Sequence, residues 1–254
     1  MSGQVIFVGA GPGDPELITV KGLRALQSAE VLVYDRLVAN ELVEQTADDC
    51  QRIYVGKRKH LHMVNQQQIN ELLVTHAQAG KRVVRLKGGD GLIFGRGGEE
   101  IDEVEAAGLD WVVIPGVTAA SGAAAALNMA LTHRDYSQAL TLITAQRRRG
   151  GFEVDWRLAT RPNQTVVFYM GLSLLGEITR GLLAQGMPAA TPFAVVAKAT
   201  QADQMLISGT LANIEEQCKG QRIPSPALLV MGQAVTQIRQ VPEFGVAQQC
   251  RLVV

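Results

Sequence analysis

Short apolar runs separated by stretches of helical period constrain this chain more than any other feature of it. VIFVG (5–9), VLVYD (31–35), RIYVG (52–56) and VVRLKGG (83–89) read as strands. Between the third and fourth, NQQQINELLVTHAQAG places Ile69, Leu72, Leu73 and His76 on one helical face, and Asn65 with Gln68 is spaced as an N-terminal cap. Alternation of this kind is the pattern of an open, largely parallel α/β sheet. A second cycle follows the stretch WVVIPGVTAASGAAAALNMAL, with strand candidates ALTLITA, TVVFYM, FAVVA, QMLISGT and PALLVM and a helix in LLGEITRGLLAQG. The fold class expected is therefore α/β in two domains, 1–115 and 116–254. Their joint falls at Pro115 and Gly116, where one strand ends and an alanine-rich segment opens.

Composition narrows the function classes. At 254 residues and 47% hydrophobic content the chain can bury one large core or two of ordinary size. Its 24 basic and 24 acidic residues balance, so no overall field recommends nucleic acid or an anionic membrane as partner. Cys50, Cys218 and Cys250 are far apart and form no C-x-x-C pair, which argues against a disulfide framework and a zinc site; no metal is expected. The start MSGQVIFVGAG lacks the marks of a signal peptide and no apolar run reaches spanning length, so a cytoplasmic protein is expected.

In open α/β sheets ligands bind outside the carboxyl ends of the strands, which gives weight to whatever follows each apolar run. After the first comes GAGPGDPEL. A dinucleotide fingerprint would need its third glycine at position 14, where this chain has Asp14, and a carboxylate there would oppose a pyrophosphate. A ligand without a diphosphate is expected, which argues against a nicotinamide-dependent dehydrogenase. After the second run come Asp35, a possible base or one half of an ion pair, and Arg36. Of the basic residues 57–60, Lys57 lies nearest a strand end and is the functional candidate; the others, like Arg147 to Arg149, suit a solvated surface. His133 has no visible metal-ligand partner and reads as a core or hydrogen-bonding histidine. The densest segment is LKGGDGLIFGRGGEE. Gly88, Gly89 and Gly91 allow close backbone approach, Asp90 can accept hydrogen bonds, and Ile93, Phe94, Arg96 and Glu99 follow, so a site is favoured there over a plain surface turn.

The segments VGAGPGDPELITVKG, VLVYDRLV, VGKR, RLKGGDGLIFGRGGEE, VIPGVTAA, LTHRDY and RPNQTVVFYMGL occur in this order. Together they resemble the uroporphyrinogen III C-methyltransferases of the tetrapyrrole methylase family, over a span from Val5 to Gln240. The resemblance implies a homodimer of two-domain subunits with S-adenosylmethionine bound in a cleft between the domains. It implies methylation of uroporphyrinogen III at two pyrrole carbons, C2 and C7, giving precorrin-2 and S-adenosylhomocysteine. Carried over by motif, the cofactor contacts are Pro12, Gly88, Gly89, Asp90, Ile93, Thr118, Ala119, Met170 and Ala199. Asp35 and Lys57 match proton-handling positions, and Arg36, Arg96, Glu99 and Arg134 match substrate-binding ones, with Glu99 also a candidate for proton loss. The substrate bears eight carboxylates, which arginine forks match bidentately. Two positions depart from the family's pattern: Gly91 stands for a proline and Ala199 for a glycine. A methylase acting on a later corrin intermediate and a module that binds tetrapyrrole without turnover are the competing readings.

Overall fold

A computed structural model of the chain describes residues 3–56, 65–145, 154–239 and 251–253. Lys57 with the rest of the basic residues 57–60, and Arg147 to Arg149, lie outside the described residues. The chain forms two compact units, Met1–Ala119 and Ala120–Val254.

The first unit is a parallel sheet of β1 (Gln4–Gly9), β2 (Val31–Tyr34), β3 (Gln51–Tyr54), β4 (Arg82–Lys87) and β5 (Asp110–Ile114), in the order β3-β2-β4-β1-β5. Alternation along each strand splits its side chains between two apolar layers. Ile6, Val8, Leu32, Val84 and Leu86 face α1 (Val20–Gln27) and α2 (Asn40–Val43), packing on Ala25, Leu26, Leu42 and Val43. Val5, Phe7, Val31, Val33 and Val83 face the opposite way, toward α3 (Gln66–Gln78) and α4 (Gly97–Ala106), with Leu73, Ala77 and Val104.

Helix α3 begins where the sequence places it. The Gln68 N–H donates to Asn65 Oδ1 at 2.9 Å, and the Asn65 N–H donates to Gln68 Oε1 at 2.8 Å. This reciprocal cap contributes about 1 kcal/mol. The buried stripe runs Ile69, Leu73, Ala77, with Asn70 beside it. Leu72 and His76 are only half-buried, so the face is turned slightly from the expected one.

The second unit contains α5 (Ala119–Ala126), β6 (Ala139–Thr144), α6 (Trp156–Ala159), β7 (Gln164–Tyr169), α7 (Leu175–Ala184), β8 (Pro192–Ala197), β9 (Met205–Thr210), α8 (Ile214–Cys218), β10 (Ala227–Met231) and β11 (Arg251–Val253). Its core gathers Phe168, Phe193, Ile178, Leu182, Ile207 and Leu229. The sheet order is β11-β9-β8-β10-β7-β6, and here the expectation of a largely parallel sheet fails. Only β6 with β7 and β9 with β11 pair parallel; β8 with β9, β8 with β10 and β7 with β10 pair antiparallel. The cause is connection length. Only residues 198–204 join β8 to β9, whereas a parallel crossover needs about a dozen residues or more.

Candidate functional site

Strand β4 lies between β1 and β2. The chain leaves β1 and β2 toward the α1 and α2 face, but leaves β4 toward the α4 face. Neighbouring strands whose connections part to opposite faces open a crevice at their carboxyl ends. The end of β4, Gly88 to Asp90, thus lies between the end of β1, which leads to Pro12, and the end of β2, which leads to Asp35 and Arg36.

These ends meet backbone to backbone. A Cβ on Gly9 would come within 2.5 Å of Gly116 N, and one on Gly116 within 2.3 Å of Gly89 O, so no side chain fits at either position. Gly89, at φ +66, exchanges hydrogen bonds with Gly11 in both directions, at 2.6 and 3.2 Å. Asp90 closes the arrangement. Its Oδ1 accepts the Leu92 N–H at 2.8 Å and its Oδ2 accepts the Gly116 N–H at 3.1 Å, tying the loop after β4 to the segment after β5. Thr118 and Ala119 continue that segment, and a Cβ on Gly89 would lie 3.7 Å from Ala119 N. Ile93 is half-buried, whereas Leu37, Leu92 and Phe94 are exposed. The loop offers main-chain polar groups in a cradle that side chains would fill, beside exposed apolar surface, and this fits a ligand such as the S-adenosyl group.

Under the loop lies a charged cluster that the sequence reading missed. Glu100 on α4 is fully buried and accepts from Lys87 Nζ at 2.8 Å, from Arg85 Nε at 3.2 Å and from Gln66 Nε2 at 3.1 Å. Burial alone would raise the Glu100 carboxyl, but the Arg85 and Lys87 charges outweigh it and hold the group below the usual carboxylate range. Burial, and then the Arg85 charge, push the Lys87 ammonium down. The signal was present in RVVRLK, where two cations alternate within an otherwise apolar strand covered on both faces. Asp35 lies at the edge of this cluster. Its Oδ2 is 3.7 Å from Arg85 Nη2 and its Oδ1 accepts the Leu37 N–H at 3.0 Å, so among the described residues it pairs with Arg85 rather than with its neighbour Arg36, which is exposed.

Arg96 and Glu99 are brought together, with each other. Arg96 has φ +59, and its Nε and Nη2 donate to the two Glu99 oxygens at 2.9 and 2.5 Å. The pair stands in solvent, where it adds little to stability. Side-chain hydrogen bonding to Arg96 holds the Glu99 carboxyl below its ordinary value.

In the second unit, Met170 follows β7 at φ +56 and is exposed. Tyr169 before it accepts the Ala120 N–H on its hydroxyl at 2.9 Å. Ala199 follows β8 and is buried. Alanine at this position would be strained at positive φ, but its neighbours Lys198 (φ +47) and Thr200 (φ +70) adopt that conformation and Ala199 does not. β7 and β8 both run antiparallel to β10 between them, so Met170 and Ala199 follow strand ends on one edge of the sheet. Arg134 is exposed in a turn closed by paired hydrogen bonds between His133 and Ser137, at 2.8 and 3.0 Å. His133 stacks on Tyr136 at 4.2 Å and accepts the Asp135 N–H on Nδ1.

Fold and strand-end loops thus define an α/β protein whose first sheet opens a glycine-rich crevice at its strand ends. Residues 4–215 match the family described as Tetrapyrrole (Corrin/Porphyrin) Methylases. A siroheme synthase 1 of Yersinia enterocolitica is 50% identical over 243 residues, which are 96% of this chain and 51% of the relative. A siroheme synthase of Acinetobacter baylyi is 48% identical over 239 residues, 94% of this chain and 52% of the relative. The chain thus spans about half the length of the curated relatives it matches. Among solved structures, a uroporphyrin-III C-methyl transferase from Thermus thermophilus complexed with S-adenosylhomocysteine is similar with TM-score 0.79 and 35% identity, over 92% of this chain and 99% of that one. A cobalt precorrin-4 methyltransferase is similar with TM-score 0.81 and 29% identity, over 91% and 95% of the two chains. The chain belongs to the tetrapyrrole methylase family.

Proposed function

We propose that the chain transfers methyl groups from S-adenosylmethionine to C2 and C7 of uroporphyrinogen III, giving precorrin-2 and S-adenosylhomocysteine. The observation that carries this reading is the 35% identity extending over 99% of the Thermus uroporphyrin-III C-methyl transferase. The β4 loop supports it, because a backbone cradle beside Asp14 suits a ligand without a diphosphate.

S-adenosylmethionine supplies, when bound, a methyl group activated by its sulfonium. The residues proposed to hold it are Pro12, Gly88, Gly89, Asp90, Ile93, Thr118 and Ala119, with Met170 and Ala199. Arg36, Arg96 and Arg134 would anchor substrate carboxylates, and Arg96 would do so by sharing or releasing Glu99. A methylated pyrrole carbon must lose a proton, and Asp35, Lys57 and Glu99 are the groups proposed to accept or relay it. The protein's main task is to align acceptor and donor and to exclude water. We further propose a homodimer working in the cytoplasm; among the described residues no helix is long and apolar enough to cross a membrane.

Anaerobic incubation with S-adenosylmethionine and uroporphyrinogen III, followed by mass analysis of the tetrapyrrole, tests the reading. Two added methyl groups are expected. An unmodified tetrapyrrole, or turnover only with a later corrin intermediate, would overturn it, and light scattering tests the dimer.

A further inference from the structure

Arg85 and Lys87 project from the β4 face on which Val83 joins the apolar layer under α3 and α4. Charges in such a layer are expensive, and apolar residues of similar volume commonly serve stability as well or better. The arrangement has a direction. Lys87 meets Glu100 at one end, and its Cδ would lie 3.1 Å from a Cβ on Gly91 of the glycine loop. Arg85 grips both Glu100 oxygens through Nε, at 3.2 and 3.3 Å, while Nη1 donates to Val33 O at 3.3 Å and Leu86 O at 3.2 Å. Nη2 donates to Glu100 Oε1 at 3.3 Å and lies 3.7 Å from Asp35 Oδ2. The other Asp35 oxygen accepts from its own turn, at Leu37 N.

We propose that Arg85 is a positioning residue for methyl transfer: it sets the Asp35 carboxylate, and Glu100 with Lys87 beneath the Gly88–Gly91 loop sets Arg85, so that the proton-handling group and the cofactor loop share one buried frame. The proposal rests on the reading of Asp35 as a proton-handling residue. A guanidinium is needed because its planar fork serves Glu100, two main-chain carbonyls and Asp35 at once; an ammonium is a single point of charge.

The test uses the full chain as wild type, Arg85→Met, Arg85→Lys, Asp35→Asn and the Arg85→Met/Asp35→Asn double variant. Arg85→Met leaves Glu100 paired with Lys87, so the buried charges stay balanced. Displacing a reacting group by an ångström can cost about a hundredfold in rate, so kcat of Arg85→Met should fall at least about tenfold. Affinity for S-adenosylmethionine by calorimetry should stay within about twofold, and Arg85→Lys should not restore kcat. In the Asp35→Asn background the Arg85 substitution should cost less than about twofold further, because residues acting as one unit are not additive. The crystal structure of Arg85→Met should have the Asp35 carboxylate in another rotamer. Equal losses in both backgrounds, or an unmoved carboxylate, would overturn the proposal. Wild-type turnover by Asp35→Asn removes Asp35 from the reaction and the proposal with it. Absence of any methyl transfer by wild type instead defeats the functional reading, while the crystal structure still reports whether Arg85 holds the carboxylate. If Arg85→Met does not fold, Arg85→Lys carries the same comparison.

Discussion

Glu100→Gln puts the buried cluster to its severest test. The carboxylate has no exposure and faces Lys87 Nζ at 2.8 Å, Arg85 Nε at 3.2 Å and Gln66 Nε2 at 3.1 Å, all donors. Glutamine keeps one acceptor, presents an amide N–H to a donor and removes the fully buried anion from between two buried cations, leaving Arg85 the partly exposed Asp35 at 3.7 Å. Breaking a buried pair by removing one partner costs about 3–5 kcal/mol, a large part of the roughly 5–15 kcal/mol that holds a domain folded. With a urea slope of about 1–3 kcal/mol/M, the midpoint should fall by at least about 1 M. The chain has two tryptophans, and Trp111 on β5 reports the first unit once Trp156→Phe silences the other.

The same substitution carries a pH signature. The folded Glu100 carboxyl is held below its unfolded value of about 4.3, so its stabilisation is complete above that value and is lost as pH falls through the folded one. Wild type should therefore weaken in acid more steeply than Glu100→Gln. Lys87 has the opposite sense: its ammonium is pushed down, so the cost of keeping it charged is present at neutral pH and is relieved as pH rises toward about 10.4. The variant, without the Glu100 attraction, should gain more from alkali than wild type. A midpoint within about 0.3 M of wild type, or identical pH slopes, would refute the claim that Glu100 is the cluster's necessary anion.

Asp90→Ala removes the acceptor of two main-chain N–H groups, each worth about 1.5–3 kcal/mol to a charged partner, and should weaken S-adenosylmethionine binding about tenfold or more by calorimetry. Unchanged affinity would take the loop's shape out of cofactor binding. Arg96→Lys should lower kcat/KM about tenfold to a hundredfold while leaving cofactor affinity and the urea midpoint as in wild type, since its pair with Glu99 is exposed; wild-type kinetics would show that Arg96 is no substrate clamp. Ala199→Gly should alter cofactor affinity less than about threefold, because Ala199 is not at positive φ and glycine relieves nothing there; a larger gain in affinity would mean that its methyl group obstructs the ligand.

The first sheet was legible because each of its strands declares itself twice, by an apolar run and by the glycine or charge that ends it. The Asn65–Gln68 cap was legible because it is local chemistry. The second sheet was misread for a reason also present in the sequence: the short link of residues 198–204 forbids a crossover, but apolar runs carry no direction. Helix α4 was missed because it opens on Gly97 and Gly98 and reads as the tail of a loop. Of the Glu100 cluster, RVVRLK shows only the two cations; their partners come from α3 and α4, and only the fold unites them. Gly88, Gly89 and Asp90 were legible as candidates because strand ends mark ligand sites in such sheets, whereas Pro12 was named a contact through the motif resemblance. The pairing of Arg96 with Glu99 was not legible, since both had been assigned outward roles.

Left-handed backbone has a consequence for anyone who would engineer heat tolerance into this chain. Among the described residues, and apart from two asparagines, the non-glycine positions with positive φ are Phe94, Arg96, Met170, Lys198 and Thr200, all in loops that follow strands β4, β7 and β8. Such conformations cost on the order of 1–3 kcal/mol each. A design procedure guided by backbone preference alone would place glycine or asparagine at all five positions and raise the melting temperature. It would also strip away Arg96 and Met170, the residues proposed to hold substrate and cofactor, at the very positions that look easiest to improve.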